Sequence, residues 1–147
     1  EFKKIKIKKK SADKDKTVIF ICLGGSDAKN IGLLVLEILS DFDDIISNLA
    51  ITSSNKNIDQ LLDFSKQHKD INICINCNVA ELMSNSNFSI ITPSVIVHEA
   101  MTVKLPFIAI LTADNQEMMY QYLCENNYPV FRQDELNELR MEIKNYV

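Results

Sequence analysis

Thr17-Val18-Ile19-Phe20-Ile21-Cys22-Leu23-Gly24-Gly25-Ser26-Asp27 is a continuous apolar run that stops at two glycines and two helix-capping side chains. An unbroken β-branched and aromatic run of this length is the pattern of a strand buried on both faces, as in a parallel sheet. Ser26 or Asp27 can cap the helix that follows, expected over residues 28–40, with Ile31, Leu34, Val35, Ile38 and Leu39 on one stripe.

The same alternation continues along the chain. Residues 49–53 read as a second strand, and Asn57 can cap a helix over residues 58–67. Ile71–Ile75 alternates as a third strand, after which Asn78 opens a short helix through Val79, Leu82 and Met83. Phe88–Ile91 is a fourth strand, and Ser94 caps the helix of Val97 and Met101. Pro106 breaks the chain before a fifth strand, Phe107–Leu111. A helix over residues 116–125 follows, anchored by Met118, Met119, Tyr122 and Leu123, and a last helix covers residues 134–145. Strand and helix alternate five times with short loops. That predicts an α/β fold, one Rossmann-like α/β/α layer with a mainly parallel sheet and right-handed crossovers.

The 147 residues are enough for one domain with a normal core. Charge is uneven: eight of the 16 Lys+Arg fall in residues 1–16, beside three acids, leaving an acidic body. Without aromatic interleaving or amphipathic spacing, the basic stretch reads as a solvated linker, and the acidic body would repel a nucleic acid. The domain proper is expected over residues 17–147. No run is long enough for a membrane span, and the chain has no apolar signal core. It begins Glu-Phe, which suggests a fragment of something longer. Cys22 looks like a small core residue. Cys74-Ile-Asn-Cys77 is a CxxC without the second pair a zinc site needs. Reduced cytoplasmic thiols are the simpler reading, and a redox module would need a depressed thiol pKa.

Three polar loops follow predicted strands, and in a parallel sheet such loops gather at the carboxyl edge, where ligands bind. Gly24-Gly25-Ser26-Asp27 could admit a ligand to its backbone while the helix N-terminus offers free N–H donors to an anion. Its glycine spacing matches neither the dinucleotide fingerprint nor a Walker loop, and a plain tight turn fits equally. Thr92-Pro93-Ser94-Val95 leads to Glu99, one turn along its helix. A carboxylate there can take a ribose diol, or simply complement the helix dipole. His98, being adjacent, points elsewhere as a surface or core-edge residue, and His68 sits at a helix end. Asn115 and Gln116 suit sugar hydroxyls, though Asn115 could also serve as a cap.

Together these stretches resemble the C-terminal half of the UDP-sugar hydrolase of pseudaminic acid biosynthesis. The residues that carry the likeness are 19–30, Ile51-Thr52-Ser53-Ser54-Asn55, Ala80-Glu81-Leu82-Met83, Val97-His98-Glu99-Ala100 and Asn115-Gln116-Glu117. That family is similar in fold to two-domain GT-B glycosyltransferases, whose C-terminal domain holds the nucleotide. The resemblance implies that the backbone near Asn78 and Val79 meets uracil. Thr92, Pro93, Ser94 and Val95 would frame the pyrophosphate, and Glu99 would take the ribose. Asn115 and Gln116 would approach the sugar, and Gly24, Gly25 and Ser26 would face the interdomain cleft. It further implies a UDP-linked sugar substrate, no metal or other cofactor, and a partner N-terminal domain of the same polypeptide. That domain would bring the catalytic histidine of a Gly-x-Gly-His motif, which this chain lacks. Pro93, Val95 and Ile96 depart from relatives richer in glycines and hydroxyls, and proline removes an N–H from the phosphate cradle. A glycosyltransferase, or a relative drifted out of catalysis, are the alternatives.

Overall fold

A computed structural model describes residues 16–24 and 27–146, so the expected basic linker lies almost wholly outside the described residues. Among the described residues six strands form one sheet: β1 (Thr17–Cys22), β2 (Ile45–Ile51), β3 (Ile71–Ile75), β4 (Phe88–Ile91), β5 (Phe107–Leu111) and β6 (Val130–Arg132). Six helices join them: α1 (Ile31–Leu39), α2 (Ile58–Lys66), α3 (Val79–Ser84), α4 (Val95–Thr102), α5 (Glu117–Glu125) and α6 (Leu136–Ile143). Short 3₁₀ turns, Asp114–Gln116 and Gln133–Glu135, introduce α5 and α6.

Every strand pair is parallel, and the order across the sheet is β3-β2-β1-β4-β5-β6. Alternate side chains of the central strands feed two cores. Ile19 and Ile21 join Phe88, Ile90, Ile108 and Ile110 beneath α1, α2 and α6. Phe20 joins Ile91, Phe107 and Ala109 beneath α3, α4 and α5. Both faces of the sheet are therefore covered, which is why its strands are apolar without interruption. The chain moves outward from β1 to β3 and then returns to β4, on the other side of β1. The order thus reverses between β1 and β4, and the loops leaving those two strands flank a crevice.

The structure departs from the sequence reading at several elements. β2 spans Ile45–Ile51 rather than residues 49–53. Ser47 and Asn48 hide its first half, although Ser47 is 1% exposed and Asn48 Oδ1 accepts from Asn72 Nδ2 on β3 at 2.9 Å. β6 was not anticipated, because three residues after Tyr128-Pro129 carry no periodicity. Asn57 makes no side-chain capping bond; its own N–H donates to Asn55 Oδ1 at 2.7 Å. On α5 Leu123 is fully buried and Met119 packs against the same core as expected, whereas Met118 is 89% exposed and Tyr122 50%.

Phe20 is completely buried at the centre of the sheet. Phe20→Ala is expected to cost about 3–5 kcal/mol by emptying the core under α4 and α5, read as a lower urea midpoint at unchanged slope.

Candidate functional site

The chain leaves β1 through Leu23 and Gly24. Gly24 has φ +87°, with open space where a Cβ would project, so glycine is needed there for the backbone angle. Gly25 and Ser26, both expected at the cleft, lie outside the described residues. Asp27, with φ 38°, is 7% exposed. Its Oδ1 accepts from the Ile31 N–H at 2.9 Å, and its Oδ2 accepts from the Gly32 N–H at 2.6 Å. Its carbonyl accepts from the N–H of Asn30, which takes the left-handed conformation. Residues 28–30 are consumed by this turn, and α1 begins at Ile31 instead of residue 28. Gly32 is the counterpart: a Cβ there would lie 2.8 Å from Asp27 Oδ2. The α1 N-terminus, expected to offer donors to an anion, already holds a carboxylate.

At the end of β4 the Ser94 N–H folds back onto the Thr92 carbonyl at 2.9 Å, across the buried Pro93. The Thr92 and Ser94 hydroxyls meet at 2.8 Å. Ser94 therefore does not cap α4 as expected; its side chain makes no capping bond. In the first turn of α4 the Val97 N–H donates to the Ser94 carbonyl at 3.0 Å, and the Val95 and Ile96 N–H groups have no side-chain cap, beside a Val95 that is 73% exposed. Glu99 is half-buried one turn further on. Burial raises the pKa of the Cys22 thiol, a hydrogen bond to Gly24 backbone opposes the rise, and the Glu99 charge adds to it. The Glu99 charge is thus within electrostatic reach of Cys22 at the end of β1, although Glu99 lines neither of the hollows formed by the three loops. Its neighbour His98 lines a groove toward α5.

After β5, Gln116 Oε1 accepts from the Thr112 and Ala113 N–H groups at 2.9 and 3.3 Å, and Nε2 donates to Thr112 Oγ1 at 3.2 Å. Gln116, and not Asn115, closes this turn, in the manner of a capping-box glutamine. Gln133 Nε2 braces it from the β6 side by donating to the Thr112 carbonyl at 3.1 Å. Asn115 is exposed.

These loops enclose two adjoining hollows. One, of about 560 Å³, runs from Pro93, Ser94, Val95 and His98 to Asn115, Gln116, Met118 and Tyr122. The other, of about 280 Å³, brings Gly24, Asp27 and Lys29 against Thr112, Asn115 and Gln116. Asn115 and Gln116 belong to both, so all three loops share one rim. Asn78 and Val79 sit apart from both hollows, at the end of the edge strand β3, where Asn78 Oδ1 caps α3 by accepting from the Glu81 N–H at 3.2 Å. Lys29 was not singled out from sequence, since nothing in its local pattern separates it from other surface lysines. Cys74 is pushed up to about 11, first by burial and then by the neighbouring Cys77, the opposite of what a redox module requires.

Six parallel strands, helices on both faces and a loop-lined crevice at the strand reversal define a Rossmann-like α/β domain. Within that class the sequence is 39% identical over 112 residues to the UDP-2,4-diacetamido-2,4,6-trideoxy-beta-L-altropyranose hydrolase of Campylobacter jejuni subsp. jejuni serotype O:2, and the chain is related to part of that protein. The match takes in 76% of this chain and 40% of the hydrolase. No family model matches. Among solved structures, the spinosyn rhamnosyltransferase SpnG complexed with thymidine diphosphate superposes with a TM-score of 0.60 over 80% of this chain and 32% of its own. Identity there is 11%, so the likeness is one of fold. Among the described residues no helix is long and apolar enough to cross a membrane.

Burial raises the Asp27 pKa above 3.8, against the pull of the Gly32 and Ile31 amides. The folded state therefore binds this proton more tightly than the unfolded chain. The resulting stability is complete below 3.8 and is lost as pH climbs through the raised folded value. Urea midpoints of the parent chain, taken relative to Asp27→Asn, are expected to fall with rising pH across that window.

Proposed function

We propose that this chain is the nucleotide-binding domain of a UDP-sugar hydrolase that, as a two-domain protein, releases UDP and a free 2,4-diacetamido-2,4,6-trideoxy sugar for pseudaminic acid synthesis in the cytoplasm. One juxtaposition carries the reading: Gly24 after β1, Ser94 and Val95 at the start of α4, and Asn115 and Gln116 after β5 line two adjoining hollows, with Glu99 one helical turn beyond Val95. The Asn115–Gln116 turn completes that rim, in a chain related to such a hydrolase. In this arrangement Glu99 accepts from the ribose diol, and the region of Thr92, Ser94 and Val95 receives the diphosphate. Uracil lies toward Asn78 and Val79, and Asn115 and Gln116 meet the sugar. Gly24, with Gly25 and Ser26, faces the cleft to the catalytic domain. Residues 17–147 form the binding domain, and residues 1–16 are the basic connection to its neighbour.

Hydrolysis needs a water-activating group opposite this rim, and the reading assigns that group to the second domain. A glycosyltransferase would use the same rim and present an acceptor in place of water. That alternative rests on the fold shared with the rhamnosyltransferase. The hydrolase reading has the sequence relationship in addition.

Titration of the chain with UDP, followed by amide chemical shifts, is expected to move Ser94, Glu99 and Asn115, with no turnover of UDP-sugars. Affinity should lie near the millimolar-to-micromolar range, about −4 to −8 kcal/mol, for half of a cleft. Removing a charged hydrogen bond costs roughly 1.5–3 kcal/mol, so Glu99→Ala should weaken binding about tenfold or more. Unmoved Ser94 and Glu99 signals at several millimolar UDP, on the order of the weak end of that range, would defeat the assignment.

A further inference from the structure

A diphosphate brought to this rim carries two or more negative charges, and among the described residues the backbone is poorly supplied to receive them. Asp27 already occupies the α1 N-terminus, through the Ile31 and Gly32 N–H groups. Pro93 has no N–H, and the Ser94 N–H is spent on the Thr92 carbonyl. The two facing hydroxyls, of Thr92 and Ser94, are joined to each other. What remains on this side among the described residues is one hydroxyl hydrogen of that pair and the Val95 and Ile96 N–H groups of α4, whose terminus is worth about a half-charge at most. The acidic balance of the body and the buried Asp27 carboxylate both act against an anion.

We propose that Lys29 supplies the missing cation, as the phosphate-binding side chain of the rim; this rests on the nucleotide-binding reading given above. Lys29 is the one Lys or Arg among the described residues lining the two hollows that hold Gly24, the α4 N-terminus and Asn115. It also lines the next hollow along the edge, against Thr112 and Arg132. It makes no ion pair among the described residues, whereas Arg132 beside it is committed to Glu117 at 2.7 Å. Its base is fixed: residues 28 and 29 are held between Asp27 and Asn30 by the Asn30 N–H to Asp27 carbonyl bond of 2.8 Å. The side chain therefore starts from a rigid turn and extends into the hollow between the glycine turn and the Thr112–Gln116 turn. A lysine serves here as a point charge with three rotatable donors, suited to a diphosphate whose oxygens no fixed amide array holds.

The test compares UDP, uridine and inorganic pyrophosphate on the parent chain, Lys29→Met, Lys29→Arg and a distant control, Lys69→Met. Amide and lysine side-chain NMR signals report binding. Lys29→Met is expected to weaken UDP and pyrophosphate roughly tenfold or more while leaving uridine unchanged. Lys29→Arg should retain most of the affinity, and Lys69→Met all of it. Raising the salt should shrink the difference between parent and Lys29→Met. Equal UDP affinity in the parent and Lys29→Met overturns the role of Lys29 and leaves the nucleotide reading standing. Pyrophosphate shifts at Lys29 without any response to UDP support the anion site and overturn the uridine reading. Silence toward both ligands overturns the two together.

Discussion

The Asp27 carboxylate, set on the first two N–H groups of α1, is the constraint on which the carboxyl edge depends. It turns the chain from the central strand into the first helix and holds Asn30 in a conformation few residues adopt. It does so only because Gly32 leaves room for it, since a Cβ there would overlap Oδ2. A negative group at a helix start gains from the dipole and from the otherwise unpaired donors. Burial works against the same group by disfavouring its charged form, and both effects are present in its shifted pKa. The turn is rigid because the two residues act as a pair.

That pairing decides how the edge divides its work. The start of α1 is occupied by Asp27, whereas α4 starts without a side-chain cap because the Ser94 hydroxyl is turned to Thr92. The Glu99 charge on the same helix is felt by Cys22 of β1, while His98 opens on the groove toward α5. Opposite them, Gln116 spends its carboxamide on its own turn and leaves Asn115 as the more accessible of the two amides. A rim assembled from three separated loops is thereby stiffened by bonds internal to each loop.

Much of this was legible in the sequence. Uninterrupted apolar runs such as Val18–Ile21 announced strands covered on both faces, and their regular alternation with helices announced the parallel order. The placing of Gly24, Ser94 and Asn115 along adjoining hollows followed from topology. The misses share a cause. Asn48 hides β2 because its amide is satisfied across the sheet by Asn72, a contact no local pattern encodes. β6 is too short to show a period. Ser94 has the composition of a cap and makes none, because a hydroxyl two residues away competes for it. Lys29 gains its interest only from the hollows around it.

The central position of β1 also shapes how the molecule is made. The Val18 N–H is satisfied by Asn87 Oδ1, 69 residues later in the chain. During synthesis the first strand must wait, apolar and incompletely paired, until β4 has emerged. Such long-range closure slows folding and prolongs the exposure of sticky surface.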